Sequence, residues 1–310
     1  MSDTATFERH RAHLLNIAYR MLGEMAAAED VAQEAWLRWQ RADGEDIRDP
    51  RAWLSAVTVR LSLDALRKLR ARRETYVGLW LPEPLLPDDT RAFAADAPAV
   101  RAELASDLSL ALLHILERLS PEERAALILH DAFDCDYAEI AATLDKNEAA
   151  CRKLVSRARE RVKADRPRYT ASPDAHRDLL RRFAKASASS DPNEMMMLLA
   201  PDAIAYTDGG GRVAAALNPI YGADKVARFI IGLGKKFYAA AMLETAMIEV
   251  NGQPALVIRD GGEMLGIIAI ETDGEKITTL YGLRNPDKLK RLTDTLSPQT
   301  APGSSAPAAQ

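Results

Sequence analysis

One stretch, residues 137–161, constrains what this chain can fold into more than any other. Its first part is small and apolar, its second part is basic on one face, and the polar residues 145–147 lie between them. This pattern predicts two short helices joined by a tight turn, the arrangement of a helix-turn-helix whose second helix enters the major groove of DNA. The sequence therefore predicts a chain that reads DNA.

The second helix of this unit has two distinguishable faces. Apolar residues at helical spacing should face the core, namely Cys151, Leu154, Val155, Ala158 and Val162. Arg152, Lys153 and Ser156 lie outward near the N-terminal end, where base edges are reached. Arg157, Arg159 and Arg161 lie further along and suit phosphate contacts.

The charge of the chain is divided into blocks. Its 310 residues suggest two or three domains, and the net charge is −4. Basic residues concentrate in 60–73 and 146–163, whereas residues 74–107 are mainly acidic. This alternation indicates two DNA-contacting modules separated by a connector that does not bind DNA.

Several classes of protein are disfavoured by the sequence. No apolar run approaches the length of about 18 residues needed for a spanning helix, and the N-terminus does not resemble a signal peptide. Cys135 and Cys151 are too few for a disulfide framework, so a cytoplasmic protein is expected. The five histidines are scattered, and neither a metal site nor a cofactor is expected.

Apolar spacing predicts a helical N-terminal half. Helices are expected over 7–22, 26–40, 51–73 and 100–119. A further helix should begin after Ser120, because Ser120 can cap it, Pro121 suits its first position and Glu123 follows three residues after the cap. Residues 41–50 read as a loop, and residues 76–98, with four prolines, read as a linker. Trp80, Leu81 and Leu85 in that linker either dock on a neighbouring domain or belong to a core.

The character of the sequence changes after Pro167. Helices are predicted over 174–189, 195–199 and 222–232, and strands over 203–207, 213–217, 242–250, 254–259, 263–271 and 276–283. Asn251-Gly252, Asp260-Gly-Gly262 and Asp273-Gly274 suit hairpin turns. The order predicts an α+β domain in which a curved antiparallel sheet wraps on helices. Residues 297–310 are expected to be disordered.

Three groups of residues together resemble an extracytoplasmic-function sigma factor of bacterial RNA polymerase. They are 29–36, 52–67, and Ser120–Arg124 with the helix-turn-helix. The C-terminal part resembles a SnoaL-like domain. The resemblance implies two all-α helical DNA-binding domains and an α+β cone, divided as 1–75 (sigma domain two), 76–99 (linker), 100–166 (sigma domain four), 170–292 (SnoaL-like) and 293–310 (disordered tail).

The resemblance also implies the partners, which are promoter DNA, duplex and melted, and core RNA polymerase through its largest-subunit clamp helices and its flap. The polymerase-docking residues would be Asp30, Gln33 and Glu34, on one helix face. Minus-10 contacts would come from Arg60, Asp64, Arg67, Lys68 and Arg70, and minus-35 contacts from Arg152, Lys153, Ser156, Arg157 and Arg159. The loop 41–49 matches the place where the family captures a flipped base.

The subgroup of this family with a fused SnoaL-like domain carries three motifs, all present here. The residues expected at the interdomain contact are Trp80, Leu81, Pro82, Glu83, Pro84, Asp208, Gly209, Gly210, Gly211, Arg212, Asn285, Pro286, Asp287, Lys288 and Leu289. The resemblance implies that the extension controls activity in place of a dedicated anti-sigma factor. We expect Trp80, Leu81 and Leu85 to dock near 285–289 and to hold a closed state.

Rival interpretations concern the third domain and the partner. A SnoaL-like cyclase or isomerase would need a carboxylate base or a Tyr/Asp pair in an apolar cavity, with Asp208, Asp224, Tyr206 and Tyr281 as candidates. Asp208 lies in a glycine-rich turn, a poor place for a desolvated base, so no catalytic residue is expected. The third domain could instead hold a pocket that binds an unidentified small molecule without turnover. The whole chain could also be a repressor that never meets polymerase.

Overall fold

The computed structural model describes residues 4–42, 47–73, 76–95, 108–165, 172–189, 191–237 and 243–296. The first helical unit consists of α1 (Thr4–Leu22), α2 (Met25–Arg41) and α3 (Pro50–Arg73), which confirms the three predicted helices. The side chain of Asp49 accepts a hydrogen bond from the backbone N of Ala52 (3.0 Å), so it caps α3. Asp43, Glu45 and Asp46 of the predicted base-capture loop lie outside the described residues.

The linker contains a helix that the sequence did not predict. Residues 76–86 form neither helix nor strand, but Pro87–Ala95 form a helix, α4, whose first turn contains Asp88 and Asp89. Proline at the first helical position and acidic residues in the first turn both favour a helix start, and the number of prolines obscured this signal. Of the helix predicted over 100–119, the described part contains α5 (Leu110–Glu117).

The second helical unit contains the helix-turn-helix. After α5 come α6 (Pro121–Leu127), which continues into a π-helical turn (Ile128–Ala132), α7 (Tyr137–Leu144) and α8 (Glu148–Asp165). Ser120 and Glu123 form the predicted capping box of α6. The two helical units share one apolar core, since Val59, Leu63 and Leu66 of α3 pack in the same cluster as residues of α6, α7 and α8.

The C-terminal unit is a mixed sheet with helices on both faces. Its elements are α9 (Pro173–Ser189), α10 (Pro192–Leu198), β1 (Leu199–Asp208), β2 (Ile220–Tyr221), α11 (Ala223–Phe237), β3 (Leu243–Val250), β4 (Gln253–Asp260), β5 (Glu263–Thr272), β6 (Ile277–Leu283) and α12 (Pro286–Leu296). The strand order is β2-β1-β6-β5-β4-β3. The predicted meander of four strands is confirmed, but β1 pairs with β6 in parallel, so the all-antiparallel expectation was wrong at this pair.

Two further predictions for this unit were wrong. Residues 213–217 are not a strand, and the antiparallel partner of β1 is the short β2. Residues 293–296 belong to α12 rather than to a disordered tail, while 297–310 lie outside the described residues. Asn285 before Pro286, followed by Leu289 and Leu292 at helical spacing, is the signal that could have predicted α12.

Each face of the sheet buries a separate apolar cluster. Leu256, Ile270 and Leu280 pack with α9, α10 and α11 on one face. Neighbouring strand residues such as Val257 and Leu283 point to the other face, where Leu81 of the linker, residues of α5 and α12 cover them. The sheet therefore forms its second core with the N-terminal half of the chain.

No helix in the described ranges is long and apolar enough to cross a membrane.

Candidate functional site

The carboxylate of Asp208, at the end of β1, is fully buried and joins three distant segments of the chain. It accepts hydrogen bonds from Lys288 Nζ (2.7 Å), the backbone N of Leu81 (2.9 Å), the hydroxyl of Tyr76 (2.5 Å) and the backbone N of Gly210 (3.0 Å). A buried carboxylate is tolerated only when it is paired and hydrogen-bonded, and both conditions hold here. We call Asp208, Lys288, Tyr76, Leu81 and Asn285 the Asp208 cluster.

The other members of the cluster enclose Lys288. Its ammonium group donates to the carbonyl of Leu81 and lies 4.0 Å from the ring centroid of Trp80. Asn285 Nδ2 donates to the hydroxyl of Tyr76 (2.8 Å), and burial together with the neighbouring Asp208 raises the pKa of Tyr76. The lysine therefore has hydrogen-bond and aromatic partners from the linker as well as an anionic partner from the sheet.

The glycines after Asp208 allow this close approach. Gly210 has φ +62°, and a Cβ there would lie 2.5 Å from Cγ of Asn285. Gly211 has φ +71°, and its Cβ would lie 2.9 Å from Cβ of Val77. A larger residue would be both strained and obstructed at each position. The expectation that Asp208 lies in a turn was wrong, because it ends a strand and is buried.

The remaining motif residues lie around the same contact. Arg212 pairs with Asp287 (3.0 Å) at the surface, while Gly209, Pro82, Pro84 and Leu289 are buried and Pro286 begins α12. The structure therefore brings the three motifs together, and Trp80 and Leu81 contact Lys288. The expectation that Leu85 also docks near 285–289 was wrong, because Leu85 packs in the core of the helical units and its backbone N donates to Asn251.

Glu83 attaches the linker to the first helical unit. Its carboxylate accepts from the backbone N of Met25 (2.7 Å), the first residue of α2, and its own N donates to the carbonyl of Gly23 (2.8 Å). Glu24, at the N-cap position of α2, makes no capping hydrogen bond with its side chain but accepts from Trp80 Nε1 (3.2 Å). Glu83 thus supplies the capping carboxylate from a distant segment. Burial raises its pKa.

Asn251, in the turn between β3 and β4, is a buried contact that the sequence did not predict. Its side chain accepts from the backbone N of Leu85 (3.0 Å) and donates to the hydroxyl of Tyr19 (3.0 Å) and the carbonyl of Leu108 (2.9 Å). It therefore connects the C-terminal unit to the linker and both helical units. The Asn-Gly pair at this position is sufficient for a hairpin turn, which concealed the second role.

The helix-turn-helix presents the predicted surface. The five core residues of α8 are buried, and Arg152, Lys153, Ser156, Arg157 and Arg159 are exposed. Carboxylates from α6 and its π-helical turn hold several of the arginines. Arg159 Nε lies 2.9 Å from Asp131, and Arg157 and Arg161 lie 3.4 and 2.7 Å from Glu123.

Some of the basic side chains of α3 are already bound within the protein. Arg60 donates to the carbonyls of Thr143 (3.1 Å) and Ala142 (2.8 Å), at the end of α7. Arg67 pairs with Asp64 at the surface (2.8 Å), and Lys68 is exposed. The side chain of Arg70 lies outside the described part of the chain. We call the packing of α1 and α3 against α6, the π-helical turn and α7 the helical interface.

His13 lies buried in the helical interface beside a cavity of about 210 Å³ that both helical units line. Ser55 Oγ donates to the carbonyl of Arg51 (2.7 Å), so it must accept from His13 Nε2 (2.9 Å), which leaves Nδ1 to face the guanidinium of Arg51 (3.4 Å). The ring of Phe133, from the second unit, packs 4.8 Å from the imidazole ring. Burial, then Arg51, lowers the pKa of His13 to about 3.

The predicted polymerase-docking face of α2 is accessible. Asp30 and Gln33 are exposed, and Glu34 is partly exposed and pairs with Arg38 (3.3 Å). Glu29, directly before Asp30, pairs with Arg291 of α12 (3.2 Å). The C-terminal unit therefore contacts the helix that carries the docking residues.

The candidate catalytic residues are each engaged by neighbouring side chains. The ring of Tyr206 stacks on Tyr281 (5.7 Å between centroids) and packs against His114 of α5 (4.5 Å). Asp224 is exposed and pairs with Arg228 (2.7 Å), and all oxygens of Asp208 have donors. In the described residues, no group of three His, Cys, Asp or Glu could hold a metal ion. Burial raises the pKa of Cys135 to about 12, which suppresses its thiolate.

Comparison with known proteins matches both helical units. Residues 6–73 match the Sigma-70 region 2 family, and residues 109–162 match the Sigma-70, region 4 family. The chain is 40% identical over 294 residues to the ECF RNA polymerase sigma factor SigJ of Mycobacterium tuberculosis, covering 92% of this chain and 93% of that protein. It is 32% identical over 291 residues to the probable ECF RNA polymerase sigma factor SigI of the same species, with 93% and 95% covered.

A crystal structure of the M. tuberculosis SigJ protein superposes with a TM-score of 0.71 at 38% identity, covering 93% of this chain and 98% of that chain. The likeness thus includes the C-terminal unit as well as the two helical units. The chain belongs to the extracytoplasmic-function sigma factors of RNA polymerase.

Proposed function

We propose that the C-terminal domain controls this sigma factor by gripping the linker and holding the two promoter-reading domains in a closed form. The observation that carries this proposal is the Asp208 cluster. Its buried ion pair includes Lys288 of α12, and both charged groups also bind the linker at Leu81. If the linker leaves, Asp208 loses the N–H of Leu81 and Lys288 loses its carbonyl. The buried pair must then find other hydrogen-bond partners or remain unsatisfied.

The closed form is incompatible with simultaneous reading of both promoter elements. Elements named minus-35 and minus-10 lie about 25 base pairs apart, which is about 85 Å along B-DNA at roughly 3.4 Å per base pair. In the closed form Arg60, a minus-10 candidate, touches the end of α7 in the helix-turn-helix. The two domains must separate before both elements are bound.

Residue roles follow from exposure and position. We assign base reading in the minus-35 element to Arg152, Lys153 and Ser156, and phosphate contacts to Arg157 and Arg159 once DNA competes for their carboxylate partners. In the minus-10 region we assign Arg60, Arg67, Lys68 and Arg70, with Asp64 as the partner that orients Arg67.

Polymerase docking is assigned to Asp30, Gln33 and Glu34 of α2. Arg291 binds the adjacent Glu29, so the C-terminal domain is placed to sense whether polymerase is bound. We do not assign to this chain the expected independence from a dedicated anti-sigma factor.

We assign no catalysis to the C-terminal domain. Tyr206 and Tyr281 pack on α5, and Asp208 is neutralised by Lys288. These observations favour the regulatory interpretation over a cyclase or isomerase, because a general base needs a free lone pair within reach of substrate.

Run-off transcription with core polymerase tests the proposal. The full chain, a truncation after residue 169, and the double variant Asp208→Asn/Lys288→Met would be compared, with Arg228→Gln as a control that breaks an exposed pair in the same domain. We expect the double variant to differ from the full chain and Arg228→Gln to match it. Equal activity of the full chain, the truncation and the double variant would remove the regulatory claim.

A further inference from the structure

The side chain of Arg152 is held by one partner from each helix of the helix-turn-helix. Its Nη2 atom lies 2.6 Å from Oε2 of Glu148, one turn earlier in α8, and its Cζ atom lies 5.0 Å from the ring centroid of Tyr137 in α7. The Arg152 side chain nevertheless remains 56% exposed. One partner fixes an edge of the guanidinium and the other contacts its face.

Both partners are themselves held in place. Tyr137 is the first residue of α7, just after the N-cap Asp136, and its ring packs 4.7 Å from the ring of His130. Glu148 is the first residue of α8, and Asn147 before it accepts from the backbone N of Ala150 (2.8 Å). The two contacts to Arg152 therefore originate from capped helix ends rather than from mobile loops.

The arrangement leaves Arg152 with donors for a base. A guanidinium has five N–H groups, and Glu148 accepts from one of them, on Nη2, so the hydrogens on Nη1 and the second hydrogen on Nη2 remain available. These two donors match the O6 and N7 acceptors of guanine in the major groove. The exposed carboxylate of Glu148 also disfavours an approaching phosphate, which turns the arginine from the DNA backbone toward the base edges.

Arg159 provides the contrast within the same helix. Its Nε and Nη2 atoms both contact Asp131, whose side chain is only 14% exposed, so this donor edge is already bound to a largely buried carboxylate, although the Arg159 side chain itself is 52% exposed. The carboxylate beside Arg152 is about half exposed and competes weakly with a base.

We propose that Tyr137 and Glu148 are positioning residues that hold Arg152 for reading a guanine in the minus-35 element. This inference rests on the proposed base contact of Arg152. Tyr137 supplies the ring face against which the guanidinium lies, and Glu148 sets the direction of its free edge. Neither needs to touch DNA to influence which base is preferred.

The test measures promoter preference with the holoenzyme. Open-complex formation would be compared on promoters that carry each base pair in turn at every minus-35 position, for wild type, Arg152→Ala, Tyr137→Leu, Tyr137→Phe and Glu148→Gln. Asp224→Asn, which breaks an exposed arginine pair in the C-terminal domain, is the matched control. Arg152→Ala should lower the preference for guanine at one position by roughly 5- to 150-fold.

Tyr137→Leu and Glu148→Gln should each lose part of that same preference at the same position, while activity on the other sequences stays unchanged. Tyr137→Phe, which keeps the ring face, should retain it. If Arg152→Ala leaves every preference unchanged, the assigned base contact fails. If Arg152→Ala abolishes the preference but Tyr137→Leu and Glu148→Gln keep it, or weaken all sequences equally, the positioning role is overturned. If Tyr137→Phe loses as much of the guanine preference as Tyr137→Leu does, the contact between the guanidinium and the ring face is contradicted.

Discussion

Lys288 and Asp208, 80 positions apart in the chain, form an ion pair of 2.7 Å in which the side chains are 7% and 0% exposed. The lysine belongs to the last helix described, and the aspartate ends the first strand of the sheet. Both also bind Leu81 of the linker, so the pair is completed only when the linker is docked.

Removing one charge of this pair should lower the free energy of unfolding more than removing both. Lys288→Met leaves Asp208 buried without its cation, and we expect a loss of about 3–5 kcal/mol in the free energy of unfolding. Asp208→Asn/Lys288→Met removes both charges and should lose less. Denaturant unfolding followed by circular dichroism gives the two values, and a double variant less stable than the single one would contradict the account.

Asn251→Gly should loosen the linker while the C-terminal domain stays folded. Asn251 has φ +54°, which glycine adopts freely, but the change removes the partners of Leu85 N, the Tyr19 hydroxyl and the Leu108 carbonyl. Each buried group left unpaired costs about 1–3 kcal/mol. Hydrogen exchange at the amide of Leu85 should accelerate. Asp273→Gly, in a turn remote from the linker, should leave that exchange rate unchanged.

Gly23→Ala should displace Trp80 from its site. Gly23 has φ +70°, and a Cβ would lie 2.5 Å from the indole ring of Trp80. Gly252 has φ +76° with open space around it, so Gly252→Ala adds similar backbone strain, about 1–2 kcal/mol, without the clash. The indole N–H resonance of Trp80 should shift in the first variant and stay in place in the second.

Acidification should open the helical interface through His13. Its pKa is about 3 when buried and about 6.5 when exposed, so the open form binds the proton more tightly. The closed form is therefore favoured above pH 6.5 and loses stability as the pH falls below it, by at most about 1.4 kcal/mol at pH 5.5, because Arg51 of the same unit still lowers the pKa of His13 in the open form. Arg51 and His10 face the imidazole from the first unit, and Asp134 and Glu139 line the adjacent cavity from the second.

Small-angle scattering across pH 5–7 measures this opening. His13→Asn should remove the dependence in this range. His176→Asn, at a buried histidine of α9 that also has a lowered pKa, should change the stability of the C-terminal domain but leave the opening unaffected. An opening transition that persists in His13→Asn would exclude His13 as its cause.

Sequence patterns predicted the parts that depend on neighbours along the chain. The burial of Cys151, Leu154 and Val155 follows from helical periodicity, and the capping box at Ser120 and Glu123 follows from local hydrogen bonding. The parallel pairing of β1 with β6 was missed because the two strands are separated by more than 60 residues, and strand periodicity is the same in parallel and antiparallel ladders.

The sequence by itself determined the family, the helix-turn-helix and the two basic surfaces, because short periodicities and motifs encode them. Only the tertiary structure decided what those surfaces touch. Arg60, which the sequence assigned to DNA contacts, binds the end of α7 in the folded chain. Asp208, which the neighbouring glycines predicted to lie in a turn, is fully buried beside Lys288. Contacts between segments far apart in the chain depend on burial and on the geometry of docking, which local periodicity does not contain.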